Sequence, residues 1–198
     1  MVVCPASRNT ARSRIICFVI SSREGGRLGL PVHIHTAVGT GDYFNLSESN
    51  IMNLENILRD PRYSSTIFVM IHGGLPYERE AIWLAAMKNV YLDSSLMELW
   101  VYPSEFKRTL KIWLETFPEK ITFGTDTFPL NRALGTEEDY WLGVQTSRTA
   151  LAAALAEMIS EGEVGESQAL RMAHGYLHDN AASLYPSIYP TLGQQKAH

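Results

Sequence analysis

The sequence is short of several things, and each shortage removes a class of protein. Its 198 residues hold only two cysteines, Cys4 and Cys17. They form no metal-type spacing and imply no disulfide framework, so a reducing, cytoplasmic setting is the simple expectation. No apolar run approaches the ~18–20 residues of a membrane span, and Ile15–Ile20, the longest near the start, falls far short. Charged residues make up 19% of the chain and the net charge is −4, with both signs scattered. That leaves no basic patch for nucleic acid. No internal repeat and no low-complexity segment is present. What remains is an ordinary globular balance, 45% hydrophobic and long enough for one domain with a sizeable core. Arg8, Arg12 and Arg14 precede Ile15–Ile20 and no acid occurs before Glu24, which weakly resembles a targeting segment. The blander alternative is an irregular N-terminal segment, 1–27, with one short strand.

Beyond that segment, short apolar runs alternate with amphipathic ones. Pro31–Thr36, Ser65–His72, Val90–Ser94 and Lys120–Asp126 read as strands. The second is apolar almost throughout, as suits a parallel strand buried on both faces. Asn50–Arg59, Pro76–Lys88, Glu105–Phe117, Thr146–Ser160 and Glu166–Tyr185 read as helices. Pro76 suits a first helical turn, and Glu78 and Glu80 suit its positive end. Alternation of this kind predicts an α/β fold with a parallel sheet and right-handed crossovers. Sequence alone fits either a doubly wound sheet or part of a barrel.

In both architectures functional side chains gather at the C-terminal ends of strands. His35, His72, Asp93 and Asp126 each stand at or near such an end. His72 precedes Gly73-Gly74, and Asp126 follows Gly124, so backbone or ligand can approach closely. Two imidazoles and a carboxylate suit zinc or another borderline divalent metal. Such a metal supplies hydroxide at neutral pH, and a carboxylate beside it can carry the proton. Each residue also has a bland reading. Asp93 and Asp126 could cap the turn that follows, and for Asp93 that reading is preferred. His33 reads as a hydrogen-bonded structural residue. His174 and His178 lie four apart but lack an HExxH glutamate, so they read as surface or packing residues. Trp83, Trp100, Trp113 and Trp141 read as core or interface.

The strings PVHIHTAVG (31–39), IHGGLPYERE (71–80), NVYLDSS (89–95), ITFGTD (121–126) and LHDNAASLY (177–185) resemble, in this order, the amidohydrolase-related family of the metal-dependent amidohydrolase superfamily. The resemblance covers 28–187 and leaves 188–198 as a tail. It implies a partial (β/α)₈ TIM barrel: the last four βα units, without the N-terminal half. By it, His35 looks like the fifth-strand metal ligand and His72 like the sixth-strand histidine. Asp126 looks like the eighth-strand ligand and proton shuttle. The HGGLPYERE string looks most like a subgroup related to glutamine-synthetase-like proteins. The implied activity is metal-dependent hydrolysis of an amide, ester or lactone bond in a small-molecule substrate. The alternatives are a non-oxidative carboxy-lyase on the same scaffold, with Arg132 as its candidate cation, or a catalytically silent truncated fragment. The family's first-strand His-x-His pair has no counterpart upstream of residue 31. The loops left to shape a pocket are Gly39–Phe44, Gly73–Tyr77 and Thr127–Leu134. Open sheet edges and an uncovered face would favour a homo-oligomer.

Overall fold

Four apolar runs become four strands. In the computed structural model, which describes residues 10–36, 45–129 and 135–185, they are β1 (Val32–His35), β2 (Phe68–Ile71), β3 (Val90–Asp93) and β4 (Ile121–Thr122). All pair in parallel, in the order β1-β2-β3-β4. The order follows the chain without reversal, so within these strands there is no switch point of the kind that marks doubly wound sheets.

Register sorts the side chains by parity. Val32, Phe68 and Val90 stand in one row, and Ile34, Met70, Leu92 and Ile121 in the next row on the same face. That face meets the helices. Phe68, Met70, Val90, Leu92 and Ile121 are fully buried in one cluster with Phe106, Leu110, Trp113 and Leu114. The last four belong to helix Pro103–Thr116, whose apolar positions recur at helical spacing. Of the four tryptophans, only Trp113 is core; Trp83, Trp100 and Trp141 are exposed.

The crossovers depart from expectation in detail. The segment 50–59 forms a 3₁₀ turn at Ile51–Leu54 running into a single helical turn, Glu55–Leu58. Asn50 caps it through its side chain, which accepts from the Met52 backbone N–H. The helix after β2 is shortened to Glu78–Leu84. The long helix after β4 begins at Thr136, ahead of the expected Thr146, and runs to Ser160. The C-terminal region breaks into Glu166–His174, a π-helical turn at Gly175–Asp179, and Asn180–Leu184. This region covers the outer edge of β4. The Asn180 amide donates to the Ile121 carbonyl at 2.7 Å, and Phe123 N–H donates to the Tyr176 carbonyl at 3.1 Å.

The N-terminal segment is a correction. Residues Thr10–Leu28 form a 19-residue helix, and no strand lies at Ile15–Ile20. Its glycines explain the misreading. A Cβ at Gly25 would lie 2.5 Å from Val32 Cγ2, and one at Gly26 would lie 2.6 Å from Thr66 Oγ1. Both glycines therefore mark a close contact of the helix with β1 and the chain ahead of β2, in a segment expected to be irregular. Thr66 Oγ1 donates to the Ser22 carbonyl within that contact. Cys17 on this helix is disulfide-bonded, so the expectation of two reduced thiols fails for it. Cys4 and the 188–198 tail lie outside the described residues. Among the described residues no helix is long and apolar enough to cross a membrane.

Candidate metal centre

The C-terminal ends of the strands bring His35, His72 and Asp126 into one neighbourhood. Thr36, just after β1, begins the assembly. Its hydroxyl donates to the Ile71 carbonyl at 2.6 Å and accepts from Gly74 N–H at 3.0 Å. That staple holds His35 beside the turn that carries His72. The two imidazoles meet edge to face, with ring centroids 4.6 Å apart.

His72 is buried, at 1% exposure. Its Nδ1 lies 2.9 Å from the Ser95 carbonyl oxygen. A carbonyl can only accept, so Nδ1 carries the proton and donates it. Burial pushes the His72 pKa below its ordinary value, and the ring is neutral at pH 7. A neutral ring protonated at Nδ1 presents the Nε2 lone pair. Asp126 Oδ2 lies 3.7 Å from that Nε2. This is too long for a hydrogen bond. It is close to the roughly 3.3 Å that separates two donors on one tetrahedral zinc ion. Asp126 is half exposed and reaches the site from its loop.

Backbone geometry singles out the same rim. His72 (φ 67°), Leu96 (φ 67°) and Asp126 (φ 50°) are the non-glycine residues at positive φ among the described residues. One follows each of β2, β3 and β4. Such conformations cost on the order of 1–3 kcal/mol each and gather where a site dictates the backbone.

Asp93 does what its bland reading predicts: Oδ1 accepts from Ser95 N–H at 3.0 Å. Oδ2 accepts from Thr122 Oγ1 at 3.1 Å. Burial raises its pKa, against those hydrogen bonds. Gly124 makes room for it, since a Cβ there would lie 2.9 Å from Oδ2. The sequence reading passed over Ser95, Thr122, Glu98 and Asp139. Glu98 is 3% exposed, and neither of its oxygens is in a well-formed hydrogen bond; the backbone N–H groups of Leu96 and Glu98 oppose it only loosely. Desolvation pushes its pKa up to about 8. Asp139 accepts from Phe128 N–H at 3.1 Å and so ties the Asp126 loop to the long helix. The one signal for these acids was position: Glu98 shortly after a strand, and Asp139 four residues before Gly143, whose missing side chain leaves room for Glu98.

Other candidates fall away from the centre. The His33 side chain hydrogen-bonds Tyr185 Oη. His174 is exposed, and His178 pairs with its neighbour Asp179. Arg132 and the Gly39–Phe44 loop lie outside the described residues, as does 130–134 of the Thr127–Leu134 loop. Among the described residues, no group of three or more His, Cys, Asp or Glu lies close enough to hold an ion by itself.

A parallel α/β sheet with imidazoles and carboxylates at its C-terminal rim defines a class in which strand ends carry the chemistry. Within that class the chain belongs to the amidohydrolase family, whose model matches residues 26–186. Protein fluG of Emericella nidulans is 31% identical over 159 residues, which are 78% of this chain and 17% of that protein. A metal-dependent hydrolase from Lactobacillus casei shares the fold at TM-score 0.74 and 21% identity, over 90% of this chain and 44% of its own. An amidohydrolase from Burkholderia multivorans with bound zinc superposes at TM-score 0.54 and 16% identity, over 90% of this chain and 61% of its own. The chain thus spans 17% of the curated relative and about half of these solved structures.

Proposed function

We propose that the chain carries the metal-binding C-terminal half of a metal-dependent hydrolase barrel, acting on an amide, ester or lactone bond of a small molecule. The half-barrel reading is supported by the unreversed strand order and by the share of the solved relatives that the chain spans. Residues 28–187 would form the catalytic region.

The carrying observation is the His72–Asp126 pair: a lone pair fixed at Nε2 and a carboxylate oxygen 3.7 Å away. The donors fit a divalent ion in chemistry, and this pair fits in spacing. As a closed set of three they fall short, so further donors must join them. His35, His72 and Asp126 would hold the ion, with zinc the expected metal. When bound, it supplies a water acidified to near neutral pH. Asp126, half exposed at the rim, would take the proton from the attacking water and return it to the leaving group. His72, neutral and held by Ser95, would keep a fixed orientation throughout. A carboxy-lyase would use the same ligands. Arg132, the cation that distinguishes it, lies outside the described residues, and no specific observation favours that reading.

The test is metal content of the purified chain beside an Asp126→Asn variant. Asparagine tolerates the left-handed backbone at 126 as aspartate does. Near-stoichiometric zinc in the parent and its loss in the variant is the expected outcome. A folded parent chain without metal sinks the enzyme reading and leaves a silent relative. A second copy, or further strands, would supply the missing donors and cover the open face.

A further inference from the structure

No direct hydrogen bond joins Asp93 to His72 among the described residues, yet the structure ties the two together through the backbone of one residue, Ser95. The Ser95 N–H donates to Asp93 Oδ1 at 3.0 Å, and the Ser95 carbonyl accepts from His72 Nδ1 at 2.9 Å. Ser95 Oγ adds a second contact to the same nitrogen at 3.3 Å. Asp93 is itself fixed from the far side by the Thr122 hydroxyl at 3.1 Å. Gly124 closes the cage, leaving no space for a side chain beside Oδ2. Leu96, the next residue, sits in the left-handed region, so the Ser95 carbonyl is aimed by a backbone that has little intrinsic reason to adopt that turn.

We infer that Asp93 is a positioning residue for His72: by anchoring the Ser95 N–H it fixes the backbone of the residue whose carbonyl holds the His72 proton on Nδ1 and frees Nε2. The hydroxyl of Ser95 cannot do this alone, because it can donate to Nδ1 as well as accept from it and so permits either tautomer. The carbonyl permits only one. The bland role of Asp93, a turn cap, and this role therefore rest on the same hydrogen bond, from Ser95 N–H to Asp93 Oδ1. A hydrogen-bonded partner behind a ligand imidazole raises metal affinity, and losing one costs about 10–100-fold. The consequence for metal rests on the function proposed above; the tautomer does not.

The experiment is a long-range nitrogen–proton NMR correlation of the histidine rings in metal-free full-length chain, comparing the parent with Asp93→Ala and Asp93→Asn. The parent should show His72 as a single tautomer, protonated at Nδ1. Asp93→Ala should show both tautomers in exchange, with zinc affinity lowered about 10–100-fold. Asp93→Asn retains an oxygen for Ser95 N–H and should restore the parent pattern. A folded Asp93→Ala chain with His72 still locked at Nδ1 overturns the inference. If Asp93→Ala does not fold, Gly124→Ala takes its place, since it crowds Oδ2 while removing no hydrogen-bonding group. Mixed tautomers there support the inference, and an unchanged pattern overturns it. A parent chain that binds no zinc but loses its tautomer in Asp93→Ala overturns the hydrolase reading and leaves this one standing.

Discussion

The two faces of the sheet are made from alternate residues of the same strands, yet they have different tasks. On the helix-covered face, Phe68, Met70, Val90, Leu92 and Ile121 are sealed into the core. On the other face stand His33 and His35, both exposed, then Val69, Ile71, Tyr91, Asp93 and Thr122. Here the buried polar members, Asp93 and Thr122, are tied by hydrogen bonds, and the candidate site opens at the C-terminal end. Stability and chemistry are thus separated by one residue of register. A one-residue slip would exchange the faces and lose both, so the apolar parity also protects the site.

The largest break in that comparison should come from the packed side. Trp113→Ala removes a fully buried ring and its hydrogen bond to the Glu78 carbonyl, and should cost ~3–5 kcal/mol in urea unfolding. Glu98 tests the rule from the opposite direction, as an acid buried without a good partner. Its folded pKa of about 8 lies above its unfolded value of 4.5. Between those values the unfolded chain releases the proton and the folded chain keeps it. Stability should therefore be full below about pH 4.5 and fall by roughly a few kcal/mol as pH rises through about 8. Glu98→Gln should flatten that slope, read from unfolding midpoints at acid and mildly alkaline pH; an unchanged slope means that Glu98 is already ionised in the folded chain. Next comes Gly73, at the boundary between the faces. It sits at φ 55°, and a Cβ there would lie 2.2 Å from Trp113 Cη2. Gly73→Ala should cost about 1–3 kcal/mol and also shift His72. The smallest stability effect belongs to the open rim. With both chains metal-free, Asp126→Asn should change unfolding by no more than ~0.5 kcal/mol, while metal loading collapses when zinc is supplied. A large loss of stability there would mean that the rim, too, is structural.

The middle of the sheet was readable because β2 and β3 are near-continuous apolar runs, ended by a residue that does not belong in a core. Buried parallel strands leave that pattern wherever they occur. The N-terminal helix was not readable. Its Ile15–Ile20 stretch has the β-branched and aromatic character of a strand, and Gly25-Gly26 is poor helix-forming sequence. Only contact with β1 and Thr66 gives those glycines their purpose. At the candidate site, His35, His72 and Asp126 stand out in the sequence by their place at strand ends. The residues that aim them do not, because Ser95 acts through its backbone and Glu98 and Asp139 look like surface acids in a sequence. Pattern registers which side chains are polar, and the fold decides which of them are turned inward.

The hydrogen bond between His33 and Tyr185 joins positions 152 residues apart, from the first strand to the end of the last helical segment. For a chain made from its N-terminus, this sets a timetable. β1 is made 152 residues before its partner Tyr185, and through that interval this contact cannot form. A nascent chain must therefore carry a half-finished sheet over that interval, in which exposed strands are most prone to wrong pairing.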